Sequence, residues 1–380
     1  MKKRIGNYII KKIPGESYKC YIPPLLPFTP KIDLGQFYTQ LEKANLVLSE
    51  LNQVSKFIPN VTLFIYMNVR KEALLSSQIE GTQSSFSDLI LFENKQKTEI
   101  DIDDVREVSN YVKAMNHGLK RLASGFPLSL RLFKEIHKIL LSGSRGGNKL
   151  AGEFRNSQNW IGGTRPGNAL FVPPPPENLL DCLSNLERFI HEDGSPLLIK
   201  AAIAHLQFET IHPFLDGNGR LGRLLIGLLL VDGKIIDEPI LYLSLYLKKN
   251  RQKYYDLLQE VRNRGNWEVW IEFFLQGIVE SGKDAIKSAK DINNLFTKDL
   301  AKIANLGRVR FSCQMIFEYL KMLPQVTVPL VAKKLNMSAP TARSALVKMV
   351  EVGILKEISG KKRDRIYVYR KYLDILEEGC

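Results

Sequence analysis

Cysteine is scarce in this 380-residue chain, with four residues at 20, 182, 313 and 380 and no CxxC pair. Such a scatter suits reduced thiols in a cytoplasm and argues against a disulfide framework. Long apolar runs are missing too. The longest, Leu224–Val231, falls far short of the roughly 20 residues that cross a bilayer. The basic stretch Met1–Lys12 leads into no apolar segment of the length a secretory signal needs. No internal repeat or low-complexity tract occurs apart from the prolines at 173–176. His205 and Glu209 stand four apart, but no third ligand follows at metal-binding spacing, so no metal cluster is read there. Acid is in the minority: 40 Asp and Glu oppose 54 Lys and Arg, a net charge of +14. With 44% hydrophobic residues the chain can bury a large core, and its length suits two or three domains of an ordinary soluble protein.

What the chain does hold is concentrated between His212 and Arg223, where HPFLDGNGRLGR runs straight into an apolar segment. Gly217 and Gly219 tolerate positive φ, so the backbone around Asn218 can form a concave nest of N–H groups, which binds anions. The residues from Leu221 to Val231 read as a buried helix whose first turn lies at the glycines. Unpaired N–H groups there favour negative charge. Arg220 and Arg223, three apart, share a face of that turn. Cations at a helix N-terminus oppose the dipole, at about 0.3–1 kcal/mol each, unless a polyphosphate sits between them. Asp216 precedes the nest, where one carboxylate can share Mg²⁺ with phosphate oxygens. His212 follows a helix expected over Ile199–Thr210 and stopped by Pro213. It titrates near neutrality and so can take a proton from an attacking hydroxyl.

A second segment, VTLFIYMNVRKEALLSSQIEG, has helical periodicity from Val61 to Glu80 and stops at Gly81, a C-cap residue. Glu80 then lies at the negative end of a dipole, which calls for a compensating cation.

Both stretches resemble the Fic (filamentation induced by cyclic AMP) family, whose signature His-Pro-Phe-x-Asp/Glu-Gly-Asn-Gly/Lys-Arg-x-x-Arg is matched at every position from His212 to Arg223. The resemblance implies an adenylyltransferase (AMPylase) that moves AMP from Mg·ATP to a Ser, Thr or Tyr hydroxyl of a target protein or of itself. It implies His212 as general base, Phe214 as apolar anchor and Asp216 as magnesium ligand. Gly217, Asn218, Gly219, Arg220, Leu221, Gly222 and Arg223 would bind the phosphates. Ser76, Glu80 and Gly81 resemble the family's inhibitory motif Ser/Thr-x-x-x-Glu-Gly/Asn. By that likeness Glu80 pairs with Arg223 and fills the γ-phosphate space, so that ATP binds unproductively. Tyr254 and Tyr255 would fall near adenine, Tyr255 as the stacking residue. Asn159–Val172 reads as strand, Gly/Pro turn, strand. Its open edge suits an extended peptide, and GEFR…NWIGG…FVPPPP resembles the family's target-binding flap. Trp267, Trp270, Phe273 and Phe274, at helical spacing, read as core.

Residues 301–380 hold 15 Lys and Arg against 7 Asp and Glu, more than half of the excess charge. Helices are expected over Cys313–Leu323, Val328–Leu335 and Ala339–Val352, with Pro340 in a first turn and Gly353 as cap, and then a two-stranded hairpin over Ile354–Arg370. This order resembles a winged helix-turn-helix. The likeness places Ser338, Thr341, Arg343, Ser344 and Lys348 where major-groove contacts are made, and Lys361, Lys362, Arg363 and Arg365 on the wing, suited to phosphates. The same unit serves equally for dimerisation or protein contacts.

The expected fold class is mainly α. An N-terminal helical region spans 1–125, a Fic core with a small β-hairpin flap spans 126–285, a linker over 286–305 includes Asp291–Ala304, and the winged helix takes 306–380. The leading reading is an autoinhibited AMPylase. The alternatives are a nucleotide-sensing DNA-binding regulator, transfer of another phosphate-linked group such as UMP, or removal of AMP. An intact His212 favours the enzyme, because a sensor needs the nest but no base. ATP and Mg²⁺ are the implied ligands. A target protein, the chain itself, DNA and a second copy in a homodimer are the implied partners, with no membrane among them.

Overall fold

A computed structural model describes residues 4–378 apart from 30, 57–60, 94–101, 144–148, 193 and 361–364. The 1–125 region, expected to be helical, instead opens with a hairpin. Strands β1 (Asn7–Ile13) and β2 (Glu16–Ile22) pair antiparallel, Ile13 opposite Glu16, around a turn with Gly15 at φ +85°. The tyrosine and isoleucines of NYIIKKI fit a pleated surface better than a helix. Cys20 and Tyr21 are buried, Tyr21 against Phe171.

The chain then runs through α1 (Tyr38–Lys56), α2 (Val61–Ile79), α3 (Phe86–Glu93), α4 (Ile102–Ala123), α5 (Leu130–Leu140), α6 (Pro176–Glu192), α7 (Leu197–Ile211), α8 (Asn218–Asp232), α9 (Ser244–Lys249), α10 (Arg251–Arg264) and α11 (Trp267–Ala304). Local chemistry sets the ends. α4 carries Asp103 and Asp104 in its first turn and Lys120 and Arg121 in its last, each sign matched to the dipole. Ser129 caps α5, accepting from Leu132 N at 3.4 Å. α2 stops where Gly81 turns left-handed at φ +102° and Thr82 N reaches back to Ser77 O at 3.3 Å. α7 and α8 pack on each other as the innermost pair, every residue from Ala201 to Ile211 being buried.

Residues 159–172, expected as two strands, form a single antiparallel bridge between Ile161 and Phe171 around a short 3-10 turn at Pro166–Asn168. Gly162 and Gly163 both take left-handed φ, and the Asn168 side chain accepts from Thr164 N and Arg165 N at 3.0 Å, so the segment folds on itself too tightly for a ladder. Its edge is also not wholly open, since Tyr21 N donates to Val172 O at 2.9 Å.

The linker expected over 286–305 is overturned. α11 runs unbroken for 38 residues, about 57 Å at 1.5 Å per residue. Ala285, Ile286, Ala289, Ile292, Phe296 and Ile303 keep a buried stripe at helical spacing, and no proline or glycine follows Gly282 before Ala304.

Beyond it come α12 (Arg310–Met322), β3 (Gln325–Thr327), α13 (Val328–Lys334), α14 (Ala339–Glu351), β4 (Lys356–Glu357), β5 (Ile366–Val368) and α15 (Arg370–Glu377), with a sheet in the order β3-β5-β4. Ser338 caps α14, accepting from Thr341 N at 3.2 Å, with Pro340 in the first turn. β3 and α15 were not anticipated. Both are short, and β3 has only Val326 fully inside. This unit is fixed to α11 by Phe296, whose ring lies 4.9 Å from Tyr372 and 5.8 Å from Phe317, and by Tyr369 Oη donating to buried Asp299 at 2.8 Å. α15 also packs on α2 and α3, where Ser87 Oγ donates to Glu377 at 2.9 Å. Among the described residues no helix is long and apolar enough to cross a membrane.

Candidate functional site

His212 ends α7 rather than merely following it. It takes the left-handed conformation, φ 49° and ψ 61°, and its N–H caps Phe208 O at 2.9 Å. A non-glycine residue held at positive φ needs support from its surroundings. Arg155 supplies it: Nε donates to His212 O at 2.9 Å and Nη2 to Pro174 O and Ile211 O. Asn159 Nδ2 reaches Phe214 O at 2.8 Å and His212 O at 3.3 Å. The imidazole is half-buried. Burial, then the charges of Arg262 and Arg155, push its pKa down to about 4. It is therefore neutral, a proton acceptor, at physiological pH.

The loop after it is held from both sides. Asn218 turns its side chain back on Phe214, Oδ1 accepting from Phe214 N at 2.9 Å and Nδ2 donating to Phe214 O at 2.8 Å. The Asn218 side chain thus staples the loop whose backbone N–H groups were expected to cradle phosphate. His137, on α5, stacks on Phe214 at 3.7 Å between ring centroids. Gly152 N donates to His137 Nδ1, which makes Nε2 the donor to Asp216 O at 2.9 Å. Burial pushes this histidine down to about 4 as well, so it stays neutral and keeps that tautomer.

Gly217 sits at φ +74° as N-cap of α8, giving the left-handed step the nest requires. At Gly219 a Cβ would lie 2.2 Å from Glu80 Oε1, so the Glu80 carboxylate rests directly on the first turn of α8. There it pairs with Arg223 Nη2 at 2.7 Å. Arg223 is 1% exposed and also donates from Nε to Ser76 Oγ at 2.8 Å and from Nη2 to Ser76 O at 3.0 Å. Burial alone would raise the Glu80 carboxyl, but Arg223 outweighs it and holds the pKa below the ordinary value. The cation that Glu80 calls for at the end of α2 is thus Arg223.

The other residues expected at the phosphates have protein neighbours of their own. Leu221 and Gly222 turn into the core: Leu221 is buried, and a Cβ at Gly222 would meet Glu209 Oε1 at 2.3 Å. Gly222 makes room for a buried acid. That oxygen has no partner, and burial pushes Glu209 up to about 7. Arg220 points towards α4, pairing with Glu107 at 3.1 Å and approaching Asp216 at 3.7 Å. Asp216 Oδ1 accepts from Gly217 N at 2.7 Å and its Oδ2 faces Lys149 Nζ at 3.1 Å. Burial raises the Asp216 carboxyl, but Lys149 and Arg220 bring it below its usual range.

His212, Gly219, Glu80 and Arg223 share the wall of a cavity of about 790 Å³ with Tyr254 and Tyr255. Tyr255 is part-exposed there, while Tyr254 is buried and its hydroxyl meets His205 Nε2 at 2.9 Å. His205 Nδ1 in turn faces Gly222 O at 2.8 Å, so it is occupied within the core, and no cluster suited to a metal occurs among the described residues. Trp267, Trp270, Phe273 and Phe274 are buried as core. Arg155, Asn159, His137, Glu107 and Lys149 were not singled out from sequence, and Glu209 was weighed only as a metal ligand beside His205. Only Arg155 and Asn159 carried a signal, as part of the GEFR…NWIGG stretch. Lys361, Lys362 and Arg363 lie outside the described residues.

Sequence-family models match two stretches, Fic/DOC family N-terminal over residues 38–120 and Fic/DOC family over residues 127–230. Protein adenylyltransferase Fic of Drosophila yakuba is 30% identical over 175 residues, 45% of this chain and 32% of that one. The Culex quinquefasciatus protein of that name is 37% identical over 125 residues, 32% and 22% of the respective chains. The match thus spans about a third of the first relative's length. A solved Fic family protein from Desulfovibrio desulfuricans G20 has a TM-score of 0.60 at 17% identity, covering 90% of this chain and 97% of that one. Fic-1 from C. elegans has a TM-score of 0.50 at 20% identity, covering 67% and 72%. The two family segments follow each other in order here, on a fold shared with solved Fic proteins, and the chain belongs to the Fic family.

Proposed function

We propose that this chain is a protein adenylyltransferase held at rest by its own Glu80. One observation carries the reading: a carboxylate lies on the first turn of α8, paired with a buried arginine, in the cavity that also holds a neutral histidine. A helix N-terminus with an arginine beside it is an anion seat, and here the anion is the protein's own. The relatives named as protein adenylyltransferases support ATP as the displaced ligand.

In the reaction, His212 takes the proton of a target hydroxyl. The hydroxyl oxygen attacks the α-phosphorus of ATP, a P–O bond to it forms as the bond to the β-phosphate bridging oxygen breaks, and pyrophosphate leaves. The protein's share is positioning and charge. The α8 amides and Arg223 hold the phosphates, Tyr255 offers a ring face to the base, and Arg155 fixes His212. Asp216 fits a magnesium ion: one part-exposed carboxylate, already facing a cation, suits a metal that takes few protein ligands and several phosphate oxygens. When bound, that ion would offset the charge of the phosphates.

The test uses labelled ATP, UTP, GTP and CTP with wild type, Glu80→Gly and His212→Ala. Transfer from ATP should rise in Glu80→Gly and vanish in His212→Ala and in the double variant. Unchanged transfer on loss of Glu80 would refute the resting state, and a preference for UTP would refute the choice of nucleotide.

A second activity is proposed for the C-terminal unit, whose element order resembles a winged helix: contact with DNA. Thr341, Arg343 and Ser344 stand exposed on α14 and Lys348 is partly so. Arg343→Ala should weaken the retardation of duplex DNA in a gel, and no retardation by wild type at low salt would refute it.

A further inference from the structure

Two guanidinium groups stand in the first turns of α8, where the dipole opposes them. Each is neutralised by a carboxylate from the upstream segment: Arg223 by Glu80 at 2.7 Å, and Arg220 by Glu107 of α4 at 3.1 Å. The second pair is as enclosed as the first, with Arg220 7% and Glu107 15% exposed. Arg220 does not line the nucleotide cavity, and its buried Nε has no hydrogen-bond partner. Its guanidinium reaches α4 through Nη1, with Nη2 at the longer distance of 3.7 Å from Asp216 Oδ1, and its Nε is left over. Glu107 Oε2 also accepts from Thr82 Oγ1 at 3.4 Å, two residues beyond Glu80. One helical turn earlier on α4, Asp104 Oδ2 accepts from Gln83 N at 2.8 Å. An acidic pair on α4 therefore grips the turn that follows Glu80, and one of its members holds Arg220 at the same time.

We propose that Glu107 is a positioning residue for Arg220, one that turns the guanidinium away from the nucleotide cavity and ties this hold to the turn carrying Glu80. The inference rests on the reading of that cavity as a nucleoside triphosphate site. Withdrawal of Glu80 moves Thr82 with it and loosens Glu107. Both arginines then become available to the phosphates together, so the release has two steps joined by one turn.

The experiment measures binding of Mg·ATP and of adenosine by calorimetry in the Glu80→Gly background. Adding Glu107→Gln, which keeps the shape and removes the charge, should raise ATP affinity relative to adenosine by about three- to tenfold, the scale of one partly enclosed charge contact. That gain should disappear when Arg220→Gln is also present. A merely structural glutamate would move both ligands alike, and that result, or a gain that persists without Arg220, overturns the proposal. If Glu107→Gln unfolds at the assay temperature, Thr82→Val tests the same tie with both charges kept: the ATP-to-adenosine ratio should rise, and an unchanged ratio overturns the proposal. Failure of Glu80→Gly to bind ATP at all would instead refute the cavity reading itself.

Discussion

Gly219→Ala should have opposite effects on stability with and without Glu80. Gly219 lies in α8 and is not at positive φ, so its backbone accepts alanine. Inside a helix the change from glycine gains about 0.5–1 kcal/mol. The new Cβ, however, would stand 2.2 Å from Glu80 Oε1 and 3.0 Å from Arg223 Nη1, so the carboxylate must leave. Breaking a fully enclosed pair costs about 3–5 kcal/mol. Glu80 is 40% exposed and Arg223 keeps its bonds to Ser76, so water screening brings the cost to about 1–2 kcal/mol. In wild type the two effects leave a net loss of up to about 1.5 kcal/mol, and in Glu80→Gly the helix gain alone remains. Thermal unfolding of the four proteins checks this by the sign of the Tm shift, which does not require a two-state transition. If Gly219→Ala shifts Tm by the same amount in both backgrounds, the carboxylate does not rest on that turn, and the account of the resting site falls with it.

Further outcomes follow from the same geometry. Arg155→Lys keeps the charge but loses the fork that holds His212, and kcat of the Glu80→Gly enzyme should fall by roughly 10²-fold, the usual cost of a misplaced base, with ATP affinity unchanged in calorimetry. Because His212 is pushed down to about 4, transfer by Glu80→Gly should rise with pH through that region and stay flat from about 5.5 to 8; a limb near 6.5 in the pH–rate profile would contradict it. Glu209 is pushed up to about 7 and its unfolded value is about 4.3, so the folded chain holds the extra proton between them. Its contribution is thus full below pH 4 and lost as pH rises through 7. Glu209→Gln, which stays neutral, should gain Tm over wild type as pH goes from 5 to 8, and a constant difference would refute this. Asn218→Asp removes the donor to Phe214 O and should destabilise the loop by about 1–3 kcal/mol, read as faster amide exchange around it.

The helical core was legible because its chemistry is local. Gly81 marks the end of α2, Pro213 bars α7 from continuing, and the apolar run after Gly219 gives α8. The pairing of Glu80 with Arg223 came through resemblance and through the unmet dipole at the end of α2. What the sequence hid depends on distant partners. Nothing near Arg155 says that its fork will catch the carbonyl of a left-handed His212, and nothing near Glu107 says that Arg220 will turn to it. Nothing in the motif's spacing says that the Asn218 side chain will brace the loop at Phe214 or that Gly222 will admit Glu209. The hairpin β1–β2 was overlooked because its outward face is mixed, and the supposed linker because charged residues on the exposed side of α11 masked its buried stripe.

The tie between Ser87 and Glu377 joins residues 290 positions apart. Contacts of such separation must close a very long loop before they contribute, so they form late and open early. α15 is therefore the last slat to be nailed across α3 and the α2 face beside it, and the first to spring loose on warming. Hydrogen exchange should show the outer face of α2 becoming accessible well before the α7–α8 pair, so the helix that ends at Glu80 is the part of the core least protected by the order in which the molecule comes together.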